Sequence, residues 1–131
     1  MTDSSVSIHK TIKGKLPRLP FSDMKKAVLG NTYVLNLIFV GNTKAQKLNK
    51  IYRKKDYIPN ILSFPFSSTQ GEIFMNLNVI RKQAPSYAMT EKNFIAFLLI
   101  HGMLHLKGYS HGSRMEREEA RMLKKFKVSF I

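Results

Sequence analysis

An α+β fold, with a mixed β-sheet packed with helices, follows from three features of the sequence. Residues 33–40, YVLNLIFV, are rich in β-branched and aromatic side chains, as in a buried strand. Residues 90–107 form an apolar helix with hydrophobic side chains nearly all round, which places it inside the molecule. Strand-like and helix-like segments follow one another in an order that suits a mixed sheet covered by helices. The length of 131 residues and the apolar fraction of 44% fit one domain, residues 1–131, with a real core. There is no internal repeat and no low-complexity segment.

Taken in order, residues 6–11 alternate weakly and are expected to form a first strand. Residues 13–20 contain Gly14, Pro17 and Pro20 and read as a connection. Ser22 or Asp23 is expected to cap a helix that stops at Gly30. After the strand at 33–40, Gly41, Asn42 and Thr43 read as a turn, with Thr43 capping a helix to about residue 52. Pro59 disfavours a helix over residues 56–60. Residues 61–66 look extended, and Pro65 puts them at a sheet edge or strand end. Residues 72–77 read as another strand. Asn78 is expected to cap a short helix that Pro85 stops. Thr90 and Glu91 open the apolar helix, and Gly108 ends it. Residues 115–126 form a last helix, with Met115, Met122, Leu123 and Phe126 at core-facing spacing.

Charge is lopsided. Lys and Arg number 22 against 8 Asp and Glu, a net charge of +14. Between residues 10 and 55 twelve basic residues are opposed only by Asp23, until Asp56 follows. The C-terminal end is mixed instead. Such a field favours a polyanionic partner, and nucleic acid is the commonest. The absence of cysteine excludes disulfides and thiolate metal sites. Residues 1–7 carry no basic-then-apolar leader pattern, and the longest apolar stretch, 94–106, is too short to span a bilayer. A cytoplasmic protein without a membrane partner is the expectation.

Three of the four histidines fall within eleven residues, in His101-Gly102-Met103-Leu104-His105-Leu106-Lys107-Gly108-Tyr109-Ser110-His111. Residues four apart share a helix face, so His101 and His105 can aim two imidazoles at one spot. Gly108 lets the chain turn, and His111 can fold back over the same spot. Three nitrogens that leave a fourth position open make a catalytic rather than a structural zinc site. The predicted metal site therefore sits on the buried central helix, with one zinc per chain. The spacing also matches the H-x-x-x-H-x-x-G-x-x-H part of the metzincin protease signature. Proteases of that type use a glutamate after the first histidine as general base, and Gly102 cannot move a proton. A zincin-like metalloprotease is the second reading.

The chain resembles the YbeY family of ribosomal RNA maturation endoribonucleases. The family's hallmark is H-G-x-L-H-L-x-G-Y-D-H, and this chain has HGMLHLKGYSH. A second block, Leu48-Asn49-Lys50-Ile51-Tyr52-Arg53-Lys54-Lys55-Asp56 and then Asn60-Ile61-Leu62-Ser63-Phe64-Pro65, is similar to the family's LN-x-x-YR-x-x-D and (D/N)VLSFP. Gly71-Glu72-Ile73 resembles its GDI strand. The resemblance runs from about residue 48 to residue 111. It implies an α+β domain with a mixed sheet and a metal, usually zinc, on His101, His105 and His111. The implied activity is cleavage of single-stranded RNA in ribosomal RNA maturation, including end processing of the small-subunit RNA, and in ribosome quality control. The implied partners are single-stranded RNA and the small ribosomal subunit.

Arg53 matches an arginine treated as functional in the family. Its planar fork suits the charge that builds on a phosphate during cleavage. Tyr52 or Phe66 can stack on a base, although core packing is the expected fate of both. Ser63 either hydrogen-bonds near the site or satisfies a strand end. No general base is visible. A non-catalytic ribosome-binding factor is the third reading. Three departures stand out: Ser110 replaces the hallmark's Asp, residues 57–59 differ from the family's loop, and Phe94 stands where many members carry Glu. Serine brings no charge beside the ligands, so weakened metal affinity is expected.

Overall fold

A computed structural model describes residues 6–131. Strands β1 (Val6–Lys10), β2 (Val34–Phe39), β3 (Ile61–Ser67) and β4 (Gln70–Met75) form one sheet in the order β1-β2-β4-β3. β1 and β4 run parallel to β2, and β3 pairs antiparallel with β4. The sheet is therefore mixed. β3 is an edge strand, and its register is irregular between Pro65 and Ser67, where the proline supplies no N–H to the ladder.

The helices are α1 (Phe21–Leu29), α2 (Asn42–Arg53), α3 (Leu77–Gln83), α4 (Glu91–Lys107) and α5 (Ser113–Lys125), with a short 3-10 turn at Ala84–Tyr87. α4 is the central element. It packs against α1, α5, β3 and β4, and ten of its seventeen residues are buried. Leu35, Leu37 and Phe39 of β2 join Ile73 and Met75 of β4 in the core shared with α4. Strand alternation then sends Phe64, Glu72 and Phe74 to the opposite face. There α2 supplies Tyr52, whose ring centroid lies 5.4 Å from that of Phe64.

The ends of α4 follow its sequence. The Thr90 hydroxyl accepts from the Asn93 N–H, and Gly108 closes the helix in the left-handed region at φ 108°. Other expected caps are displaced. α1 begins after Pro20 and α2 after Gly41, neither with a side-chain cap, so Ser22, Asp23 and Thr43 fall inside their helices. α3 is capped by Asn76, whose side chain accepts from the Asn78 N–H. In each case the helix starts a residue or more before the polar side chain expected to cap it.

Candidate metal centre

α4 places His101 and His105 one turn apart, and the glycine-bounded loop after it returns His111 to them. The ring centroids are 4.7, 5.6 and 5.0 Å apart for the pairs 101–105, 101–111 and 105–111. One nitrogen from each of the three rings lies within 4.8 Å of the others. His101 and His105 are half-buried and His111 is exposed, so the cluster opens to solvent on the loop side.

The outer nitrogens of the two helical rings are committed. His101 Nδ1 donates to Glu119 Oε2 at 2.6 Å, and His105 Nδ1 donates to the Tyr109 carbonyl at 3.1 Å. In the neutral form with that Nδ1 proton, each ring aims an Nε2 lone pair at the other, and these two atoms are 3.1 Å apart. Two lone pairs held face to face repel unless a proton or a metal cation lies between them. Two zinc–nitrogen bonds of ~2.0–2.1 Å at a tetrahedral angle would hold such nitrogens about 3.3 Å apart. The donor set and its spacing thus fit a zinc-like ion. Burial pushes the His105 imidazole below its ordinary pKa, and the neighbouring imidazoles act the same way, against the pull of the Tyr109 carbonyl. This favours the neutral form that binds metal.

Glu119 escaped the sequence reading. It sits on α5, eighteen residues from His101, yet a trace of it is legible. Met115, Glu119 and Met122 share one face of α5, and both methionines are buried. A carboxylate on a buried stripe calls for a partner, and His101 is that partner. The carboxylate fixes the ring's orientation.

Gly102 packs on the sheet. A Cβ there would lie 2.8 Å from Ser63 Oγ and 3.0 Å from Ile61 Cδ1. The position that holds glutamate in zincin proteases thus has no room for a side chain. Ser63 lies beneath the residue next to His101 instead of closing a strand end. Phe94 is fully buried in a row of rings, Tyr87, Phe94 and Phe97, that ends on His101. Ser110 is exposed and lines a cavity of about 360 Å³ with Lys107, Tyr109 and Arg114.

Arg53 belongs to a different network. It ends α2, is exposed, and donates through Nη1 to Asn49 Oδ1 at 3.1 Å and to the Tyr57 hydroxyl at 2.9 Å. Asn49 is fully buried and donates in turn to the Tyr57 carbonyl at 3.0 Å. This ties the divergent loop at 57–59 to the guanidinium. Tyr52 and Phe66 correct an expectation. They are 66% and 59% exposed, so neither is a core residue. Tyr52 lies in the last turn of α2, and Phe66 on the edge strand β3, which no further strand covers. Among the described residues, no helix is long and apolar enough to cross a membrane.

A mixed sheet under a buried helix that carries two imidazoles, met by a third from the loop after it, is the architecture of a metal-dependent hydrolase of α+β type. The family description Endoribonuclease YbeY matches residues 4–130, and the chain belongs to that family. Among curated relatives, the Endoribonuclease YbeY of Polynucleobacter asymbioticus is 38% identical over 109 residues, covering 76% of this chain and 70% of its own length. That of Onion yellows phytoplasma is 40% identical over 92 residues, 63% of each chain. A solution structure from Thermotoga maritima shares the fold at TM-score 0.63 and 21% identity, covering 92% of this chain and 88% of its own.

Proposed function

We propose that residues 1–131 act as one zinc-dependent, single-strand-specific endoribonuclease. Its task is the maturation of ribosomal RNA, including the end of the small-subunit RNA, and ribosome quality control. The small ribosomal subunit is its partner and the cytoplasm its compartment. The observation that carries the reading is the convergence of three imidazoles in a strongly basic chain whose relatives are named endoribonucleases.

His101, His105 and His111 hold the metal in this reading. A zinc ion held there would supply a Lewis acid for a phosphoryl oxygen and a more acidic water. Glu119 and the Tyr109 carbonyl keep the two helical imidazoles in the orientation that ligates. Arg53 binds the scissile phosphate, oriented by Asn49 and the Tyr57 hydroxyl. Lys107 and Arg114, which line a cavity with Tyr109 and Ser110, attract the RNA backbone.

Cleavage of a labelled single-stranded RNA by zinc-loaded protein tests this. Activity should vanish after chelation and in His105→Ala, and should drop sharply in Arg53→Ala. Equal cleavage by all preparations would assign the signal to a contaminant. RNA binding without cleavage at any zinc loading would favour a non-catalytic ribosome-binding factor.

A further inference from the structure

On the sheet face opposite α4, the side chains of Leu48, Tyr52, Phe64, Phe66, Glu72 and Phe74 surround a cavity of about 340 Å³. Its walls are aromatic. Tyr52 meets Phe64 at 5.4 Å between centroids, and Phe64 meets Phe74 at 5.9 Å. The Tyr52 and Phe66 rings are more than half exposed, an unusual state for large aromatic side chains that pack beside others. Glu72 is the one charged side chain in the lining, and it makes no hydrogen bond or ion pair among the described residues.

The surroundings select the occupant. α2 contains no acidic residue, and Lys44, Lys47, Lys50 and Arg53 are all exposed on it. Lys44, Leu48 and Tyr52 recur at four-residue spacing on one helix face, so a cation stands one turn from Leu48 and two from the Tyr52 ring. Aromatic surface beside a track of cations is the usual construction for single-stranded nucleic acid, with bases on the rings and phosphates on the cations. A carboxylate in such a place repels the backbone unless it meets a base edge.

We propose that this cavity is a base-binding subsite for single-stranded RNA and that Glu72 makes it prefer guanine. The proposal rests on the RNA-directed reading above and adds to it a subsite and a base preference. Guanine presents two adjacent donors, N1–H and the N2 amino group, on its Watson–Crick edge. These match the two oxygens of one carboxylate. Cytosine and adenine each present an amino group beside a ring acceptor. Uracil presents one N–H between two carbonyls, which a carboxylate repels. Tyr52 and Phe66 supply stacking that any base can use, and Glu72 supplies the discrimination.

Fluorescence anisotropy of the metal-free full chain with labelled pentanucleotides tests this apart from catalysis. The probes are all-uridine RNA and the same RNA with a central G, A or C. The central-G RNA should bind about tenfold tighter than all-uridine RNA. Glu72→Gln, which keeps the shape, should erase that ratio and leave all-uridine binding unchanged or tighter. Tyr52→Ala and Phe66→Ala should each weaken every probe by about tenfold. Equal binding of the four probes, or a guanine preference that survives Glu72→Gln, would overturn the proposal. So would affinities untouched by the aromatic variants, an outcome that leaves the face to a polypeptide partner. Failure of zinc-loaded protein to cut RNA would instead count against the nuclease reading alone.

Discussion

In the histidine cluster, three imidazoles come from eleven consecutive residues, and the two on α4 are steadied by α5 and a backbone carbonyl. On the α2–β3–β4 face, Tyr52, Phe66 and Glu72 come from three elements, and Glu72 has no polar partner among the described residues. The first region is short in sequence and rigid in support. The second is assembled across the fold and open. A metal site needs nitrogens held to fractions of an ångström, so the outer hydrogen bonds of the two helical rings are already made in the protein alone. A surface for a flexible single strand needs exposed rings and cations, which the ligand itself organises.

The contrast can be broken by experiment. The largest expected effect is in His105→Ala, where zinc affinity and RNA cleavage should each fall by more than about a hundredfold. Binding of short RNA by the metal-free protein should stay as it was. A parallel loss of that binding would mean the two regions are one site. Glu119→Ala should follow, with zinc affinity down about ten- to a hundredfold in competition with a chromophoric chelator, because the His101 ring loses its orienting acceptor. Unchanged affinity would remove Glu119 from the account.

Gly102→Ala should cost about 1–3 kcal/mol in thermal or denaturant unfolding, since its Cβ would strike Ser63 Oγ and Ile61 Cδ1. Adding Ser63→Gly should recover part of the loss; no recovery would place the strain elsewhere. Replacing both Lys44 and Lys47 by Gln should lower the slope of RNA affinity against salt by about 1.4, at ~0.7 per phosphate contact on a single strand. A slope that does not move would take α2 out of the RNA path. The smallest change is expected in Ser110→Asp, a few-fold tightening of zinc, since an exposed carboxylate beside the cluster is largely screened.

Much of the fold was legible because the strong elements are locally consistent. The β-branched run at 33–40 contains β2, and the apolar run from Thr90 to Gly108 contains α4 with both caps where expected. Pro65 did mark an edge strand. The caps of α1 and α2 were misplaced because backbone groups can start a helix without a side-chain acceptor, which leaves no trace in residue type. Tyr52 and Phe66 read as core residues in the sequence because apolar composition does not say which face another element covers.

The sequence by itself determined the convergence of His101, His105 and His111. Helix periodicity and a glycine stop act over a few residues and depend on nothing distant. Tertiary structure alone decided that Glu119 reaches His101, that Gly102 has no room for a side chain, and that Glu72 stands between exposed rings. Each of these joins elements far apart in the chain, and their meeting depends on how α4, α5, α2 and the sheet pack, which no local pattern encodes.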